Sequence, residues 1–292
     1  MSVPFEQEFE LYHCGESLCS QKARVGMAEK DVAYKSRHIV LCDIGEACEN
    51  LTPEYLAVNP KGSVPTLVHN GEPVYDAHRM VRYVDERHPD RGEKLWPADP
   101  KRQSEAEFWF SYGMLKDEKP LSTSFGTAIP VFTLPILATT LGRQPLESVE
   151  KNFARHPVQA RAQLFIGLRK NGPQPPPGFF ESAAKELCSG LLRLERTIAE
   201  SRGPWALGDF SLVDVTMMAC FHRLEDVRLD VILKEKSLPH LWGYWERLQN
   251  RPSYKTCVTV WHDAEAWRPA IEEVFGAIPS PLQPLVTATL TS

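Results

Sequence analysis

The chain has 292 residues, 33 Lys and Arg against 38 Asp and Glu for a net charge of −5, seven Cys and 24 Pro. At roughly 100 to 200 residues per domain this length favours two domains, each with enough chain to bury a core. The acidic balance, with no Lys/Arg stripe, offers no footprint for nucleic acid or an anionic membrane, and an odd number of irregularly spaced cysteines implies no disulfide framework and a reducing compartment, the cytoplasm by default.

Residues 1–10 carry Glu6, Glu8 and Glu10 and no apolar core, so they do not read as a secretory signal. Over residues 8–13, Phe9 and Leu11 alternate with Glu8, Glu10 and Tyr12, the period of a short strand. A turn follows at Cys14-Gly15-Glu16-Ser17. Residues 20–30 are rich in helix formers and set Ala23, Met27 and Lys30 on one face, so a helix is expected to start just after Cys19. Residues 34–41 give a weaker strand. Thr52-Pro53-Glu54 starts a short helix that Asn59-Pro60-Lys61-Gly62 stops. Strands at 66–69 and 72–75 flank Asn70-Gly71, which accepts the positive φ angles of a tight hairpin. From Asp76, the spacing of Met80, Tyr83 and Val84 predicts a helix that Pro89 ends. The order βαβ then αββα is that of an α/β thioredoxin-like domain over residues 1–90.

Residues 91–100 read as a linker. Beyond them helical patterns occur at 101–116, 144–171, 180–201, 212–226 and 240–250, so residues 101–276 are expected to form an all-α domain. Residues 117–143, rich in Pro, Thr and Gly, and the proline-rich stretch 172–178 suggest an insertion over about 117–178. No uninterrupted run approaches the ~18 apolar residues needed to span a bilayer. Residues 277–292, with Pro279, Pro281 and Pro284, are expected as a loosely attached tail. Within the helical part, Ser211-x-x-Asp214 ahead of an apolar helix has the form of a capping box, with Phe210 placed to staple it.

Three places combine residue types that suit thiol chemistry. Ser17 and Cys19 stand where a strand hands over to a helix, and the positive end of a helix stabilises negative sulfur; equally, Ser17 or Ser20 serves as an ordinary cap. Pro65, opening a strand, fits either a cis bond that turns the Val64 backbone toward an extended peptide or a plain edge strand. Asp76 with Ala77, at the start of a helix, fits capture of an amino-acid zwitterion or a simple N-cap.

In this order, on this pattern, the three places and the capping box resemble the glutathione transferase superfamily over roughly residues 8–270. The stretch Ser17-x-Cys19-Ser20-x-Lys22-x-Arg24 is similar to that of zeta-like transferases and the glutathione-dependent tetrachlorohydroquinone dehalogenase, and residues 11–30 also resemble the ganglioside-induced differentiation-associated proteins. The resemblance implies glutathione as co-substrate, with Ser17 activating its sulfur, Val64 and Pro65 pairing with its cysteinyl backbone, and Lys61, Asp76 and Ala77 completing the site. Cys19 stands near the position at which the dehalogenase-like arrangement resolves a mixed disulfide; the alternative is a small buried helix residue. Ala77 departs from the family's usual Ser. The one neutral hydrogen bond lost is worth roughly 0.5 to 1.5 kcal/mol, about tenfold at most.

The expected enzyme is a glutathione S-transferase acting on a small hydrophobic, aromatic electrophile by conjugation, reductive dehalogenation or β-aryl ether cleavage, with Trp109, Tyr112, Phe125 or Phe132 lining its pocket. A homodimer follows from the resemblance. The rival is a non-catalytic binding or interaction module, which Ala77 would allow. Glutaredoxin-like exchange would need Cys at Ser17. His13, Cys14 and Cys19 lack metal spacing, and His222, His240 and His262 read as packing or surface groups, so no metal is expected.

Overall fold

Strand β1 (Phe9–His13) lies inside a four-stranded sheet of order β2-β1-β3-β4. It runs parallel to β2 (Lys35–His38), in the register Glu10 to Lys35, and antiparallel to β3 (Thr66–His69), in the register Leu11 to Leu67. The Asn70-Gly71 turn, both residues at positive φ, joins β3 to β4 (Glu72–Tyr75). The computed structural model describes residues 2–115, 120–262 and 265–291.

Helices α1 (Leu18–Glu29), α2 (Pro53–Val58) and α3 (Ala77–Arg87) complete the thioredoxin-like layer. Helix α1 starts earlier than the composition of residues 20–30 implies, because Ser17 caps it. Phe9, Leu11, Ala23, Met27, Leu67, Met80 and Val84 pack between sheet and helices. After α3 the chain is pinned: the Asp85 carboxylate accepts from the Leu95 and Trp96 N–H groups at 3.0 Å, and Lys30 Nζ reaches Asp85 at 2.8 Å and the Glu93 carbonyl at 2.7 Å.

The rest of the chain is helical: α4 (Pro100–Tyr112), α5 (Phe125–Ala128), α6 (Leu134–Gly142), α7 (Leu146–Phe153), α8 (Gln159–Asn171), α9 (Phe179–Glu200), α10 (Leu212–Asp226), α11 (Leu241–Gln249), α12 (Pro252–Cys257), α13 (Trp267–Phe275) and α14 (Gln283–Thr291). The Ser211–Asp214 capping box forms at α10, with Phe210 buried edge-on against Trp205. Helix α10 runs through the core: Val213, Val215, Met217, Met218, Ala219, Cys220 and Phe221 are all buried.

Four expectations are corrected. Residues 120–143 form helices despite their Pro and Thr, since Pro130 and Pro135 fall in first turns, where no N–H is missed. The run Phe125–Gly142 has the length and hydropathy, 1.5, of a membrane span, but 67% of it is buried within the protein. The expected tail over 277–292 is not loose in its described part, 277–291: Pro284 lies in the first turn of α14, which buries Val286 and Leu290, and Cys188 Sγ donates to the Val286 carbonyl at 3.5 Å. Cys42 and Cys48 are joined in a disulfide, so the seven cysteines are not all thiols. Residues 116–119, where the first long helix was expected to give way to the insertion, lie outside the described residues.

Candidate functional site

A cavity of about 810 Å3 opens between the sheet layer and the helices, and its lining includes Ser17, Cys19, Lys61, Val64, Pro65, Asp76 and Ala77. Seven residues chosen from three separated stretches thus share one hollow.

The loop from β1 to α1 owes its shape to two arginines. The fully buried Arg24 donates to the Cys14 carbonyl at 2.9 Å, the Gly15 carbonyl at 2.8 Å and, from α12, the Cys257 carbonyl at 2.7 Å. Arg223 on α10 donates to the Glu16 carbonyl. With three consecutive carbonyls held from behind, Ser17 is presented to the cavity, half-buried. Its Oγ accepts the Ser20 N–H at 3.2 Å, which leaves the hydroxyl proton to donate elsewhere. Cys14 is no rival nucleophile: burial, then the Glu16 carboxylate that its thiol meets at 3.0 Å, push its pKa far up. Cys19, the second residue of α1, is a half-buried thiol that also lines the cavity.

The Val64–Pro65 peptide bond is cis. A buried polar network sets its loop: Asn59 Nδ2 donates to the Ser63 carbonyl at 2.7 Å and Thr66 Oγ1 at 3.0 Å, Tyr55 Oη donates to the Ser63 carbonyl at 2.6 Å, and Asn50 bridges the Cys42 N–H to the Gly62 carbonyl. Asp76 sits at φ 73°, a left-handed value that is strained for a residue with a Cβ. Its carboxylate accepts the His78 N–H at 3.0 Å and the Arg79 N–H at 3.3 Å. Burial raises its pKa, with those N–H groups and Lys22 opposing.

The opposite wall departs from expectation. Trp109, Phe125 and Phe132 are buried in the core, Tyr112 Oη donates to Glu186 Oε2 at 2.8 Å, and none of the four lines the cavity. The wall is made instead by residues that include Leu134 and Leu137 of α6, Phe153 of α7, Phe165 of α8 and Trp267 of α13, with Thr133, His156, Arg161 and Arg223 as polar members. Asp43, on the loop after β2, faces the same space. Burial pushes its carboxyl up to about 6, against the pull of Arg161 and Arg223. Arg24 closes the Ser17–Arg24 stretch, but nothing in that pattern says which carbonyls it clamps. For Arg223 the sequence offers only a charged residue near the end of a helix that also carries Asp214, His222, Glu225 and Asp226.

Comparison with known proteins follows the same lines. The N-terminal domain family of glutathione S-transferases matches residues 16–87. Glutathione S-transferase 3 of Glycine max is 35% identical over 106 residues, which are 36% of this chain and 45% of that protein, so the match spans about half of that relative's length. The tetrachloro-p-hydroquinone reductive dehalogenase of Sphingobium chlorophenolicum is 26% identical over 250 residues, covering 85% of this chain and 95% of the dehalogenase. Among solved structures, the β-etherase LigF of Sphingobium sp. strain SYK-6 superposes with a TM-score of 0.72 at 20% identity, over 86% of this chain and 98% of LigF.

Proposed function

Because the chain belongs to the glutathione transferase superfamily, we propose that it is a glutathione-dependent enzyme in which Ser17 stabilises the glutathione thiolate for attack on a small aromatic electrophile. The observation that carries this is the convergence of Ser17, the cis Val64–Pro65 pair and Asp76 on one side of a cavity whose other side is apolar and aromatic.

Glutathione is an extended peptide with a thiol in the middle and a zwitterion at one end. In this reading the Val64 backbone pairs with its cysteinyl residue, and Asp76 takes the γ-glutamyl ammonium while the Ala77 N–H meets the carboxylate. Lys61, exposed at the rim, suits the glycyl carboxylate. The Ser17 hydroxyl donates to sulfur at the positive end of the 12-residue α1, so both the hydrogen bond and the helix dipole favour the anion. The thiolate forms an S–C bond to the electrophilic carbon, and the departing electron pair leaves with halide or with phenoxide. Leu134, Leu137, Phe153, Phe165 and Trp267 exclude water and seat the ring. The names of the dehalogenase and etherase relatives favour these two leaving groups over simple conjugation. In a reductive dehalogenation, the Cys19 thiolate, on the same wall as Ser17, would attack the sulfur of the aryl–glutathione thioether, forming a Cys19–glutathione disulfide as the S–C bond breaks and the ring carbon takes the electron pair and a proton; a second glutathione thiolate would then free Cys19 and leave as glutathione disulfide.

Replacing Ser17 with Ala removes a hydrogen bond to charged sulfur, worth about 1.5 to 3 kcal/mol. The expected loss is about 10- to 150-fold in kcat/KM for glutathione with a halogenated hydroquinone or a β-aryl ether, and the alkaline rise of the pH–rate profile moves up by a unit or more. Full activity in Ser17→Ala would overturn the assignment. Ala77 gives the non-catalytic module its one specific support; absence of any calorimetric signal at millimolar glutathione would favour it.

A further inference from the structure

Three side chains away from the cavity's sheet wall meet in a way that neither the thiol chemistry nor the packing requires. His222 and Asp226 stand four residues apart on one face of α10, and His262 follows α12. His222 Nε2 lies 2.6 Å from His262 Nε2 and 3.9 Å from Asp226 Oδ1, and His262 Nε2 lies 3.3 Å from that same oxygen. All three potential donor atoms fall within 4.8 Å of one another, and His222 and Asp226 are buried. From this we propose that His222, Asp226 and His262 form a site for a divalent cation of the zinc type, which fastens the segment around Trp261 to α10.

The geometry of the triangle supports an ion at its centre. Around a tetrahedral ion with metal–nitrogen distances of about 2.0 to 2.1 Å, donor atoms stand about 3.3 to 3.4 Å apart. The three edges scatter about that value, and only the His–His edge must open. Two imidazoles and one carboxylate are a donor set that suits zinc and its late first-row neighbours, not magnesium or calcium.

The atoms behind the donors also fit. Tyr254 Oη lies 3.3 Å from Glu225 Oε2 and 2.9 Å from His222 Nδ1. With the phenol donating to the carboxylate, it accepts from His222 Nδ1–H, and that tautomer leaves the Nε2 lone pair facing the other two donors. The second oxygen of Asp226 is occupied by Trp267 Nε1 at 3.3 Å and Arg223 Nε at 3.2 Å, so Oδ1 is the oxygen turned to the histidines. His222 and Asp226 are thus each oriented by their other polar atom, as metal-binding groups generally are.

The consequence would reach the thiol site through contact alone. Trp261, immediately before His262, stacks on His38 and meets His13 edge-on at 4.6 Å. Its carbonyl lies so close to Gly15 that a Cβ there would clash. An ion holding His262 therefore anchors the wall against which the Cys14–Gly15 turn packs, one step from Ser17. Arg223 and Trp267, which brace Asp226, also line the cavity.

The test uses the full chain, free of any affinity tag and stripped with a chelator, titrated with Zn2+ in calorimetry and with Co2+ in absorption spectroscopy. Binding of one ion per chain with a submicromolar Kd is expected, with the intense visible bands of low-coordinate Co2+. At a hundredfold excess over Kd the melting temperature should rise by about 5 °C. His262→Gln, at the accessible edge of the cluster, should fold and lose affinity by about a hundredfold. Tyr254→Phe, which removes the hydroxyl against the ligand's far nitrogen and touches no donor atom, should lose about tenfold. A chain that takes up no stoichiometric Zn2+ at ten-micromolar concentrations overturns the proposal, leaving a proton shared between the two histidines. Uptake that His262→Gln leaves unchanged overturns it equally, since the ion is then held elsewhere.

Discussion

On the sheet side of the cavity, the atoms offered to a ligand are backbone groups and one hydroxyl at helix and strand ends, fixed by Arg24, Asn59 and Asn50 from behind. On the helical side they are apolar side chains from four helices, interrupted by Arg161, Arg223 and Thr133. The first wall is specified by hydrogen-bond geometry and tolerates little change in shape. The second is specified by volume and can be recut by exchanging side chains without disturbing the backbone. A protein built this way keeps one constant co-substrate while its second substrate varies. It also means that the two walls should fail independently.

The largest effect should come from the buried polar group that roots the helical side. Asp214 accepts from the Ala206 and Ser211 N–H groups, Ser211 Oγ and Tyr244 Oη, at 2.7 to 3.0 Å. Asp214→Ala leaves four donors buried without acceptors and should cost about 3 to 5 kcal/mol in denaturant unfolding. The cap on the sheet side, Asp76, serves only two N–H groups and is half-buried, so Asp76→Ala should cost about 0.5 to 2 kcal/mol. If the two losses prove equal, the contrast between a rooted and a surface cap is wrong.

A second substitution separates the walls directly. Leu137→Trp on α6 fills part of the cavity far from Ser17's partners and should raise KM for an aromatic electrophile about tenfold or more. The glutathione Kd from calorimetry should stay within about twofold. A matching loss in both constants would mean that the two ligands do not occupy separate walls.

The reverse experiment adds a group to the sheet side. Ala77→Ser supplies the hydroxyl that the γ-glutamyl carboxylate lacks and should tighten glutathione by up to about tenfold, with KM for the electrophile unchanged. Ala77 is buried at the first position of α3, where Ser is also tolerated, so the fold should not suffer.

The same division explains what could be read from the chain. The turns and caps were legible because each depends on a few neighbours: on the sheet side Asn70-Gly71 demands a tight hairpin and Pro65 a special strand start, and on the helical side Ser211-x-x-Asp214 demands a cap. The aromatic wall was not, because placing Trp109 or Phe125 requires knowing which face of α4 or α5 turns inward, and both turn to the core. Phe165 and Trp267, a hundred residues apart, join the cavity only through tertiary packing. Arg24 and Arg223 act on loop carbonyls, which leave no residue-specific mark in sequence. The helix α14 was hidden by prolines that break a strand or a helix interior but suit a first turn. His222 and His262 are forty residues apart and meet only through tertiary packing, with Tyr254 of α12 also reaching His222.

The smallest effect tests Asp43, an acidic group of the cavity lining. Asp43 faces the cavity with a carboxyl raised to about 6, so it is neutral below that pH and charged above it. A charged Asp43 repels an anionic ring, such as an ionised hydroquinone, and leaves a neutral one unaffected. KM for the anionic substrate should therefore rise as pH passes from 5.5 to 7.5, by about three- to tenfold for an interaction of roughly 1 kcal/mol across a partly solvated cavity. Ionisation of the glutathione thiol also changes with pH, but it affects both substrates alike and cancels in the ratio of their kcat/KM values. That ratio should fall with rising pH in the native protein and stay flat in Asp43→Asn, which is neutral throughout. A slope that persists in the Asn variant would overturn the assignment to Asp43.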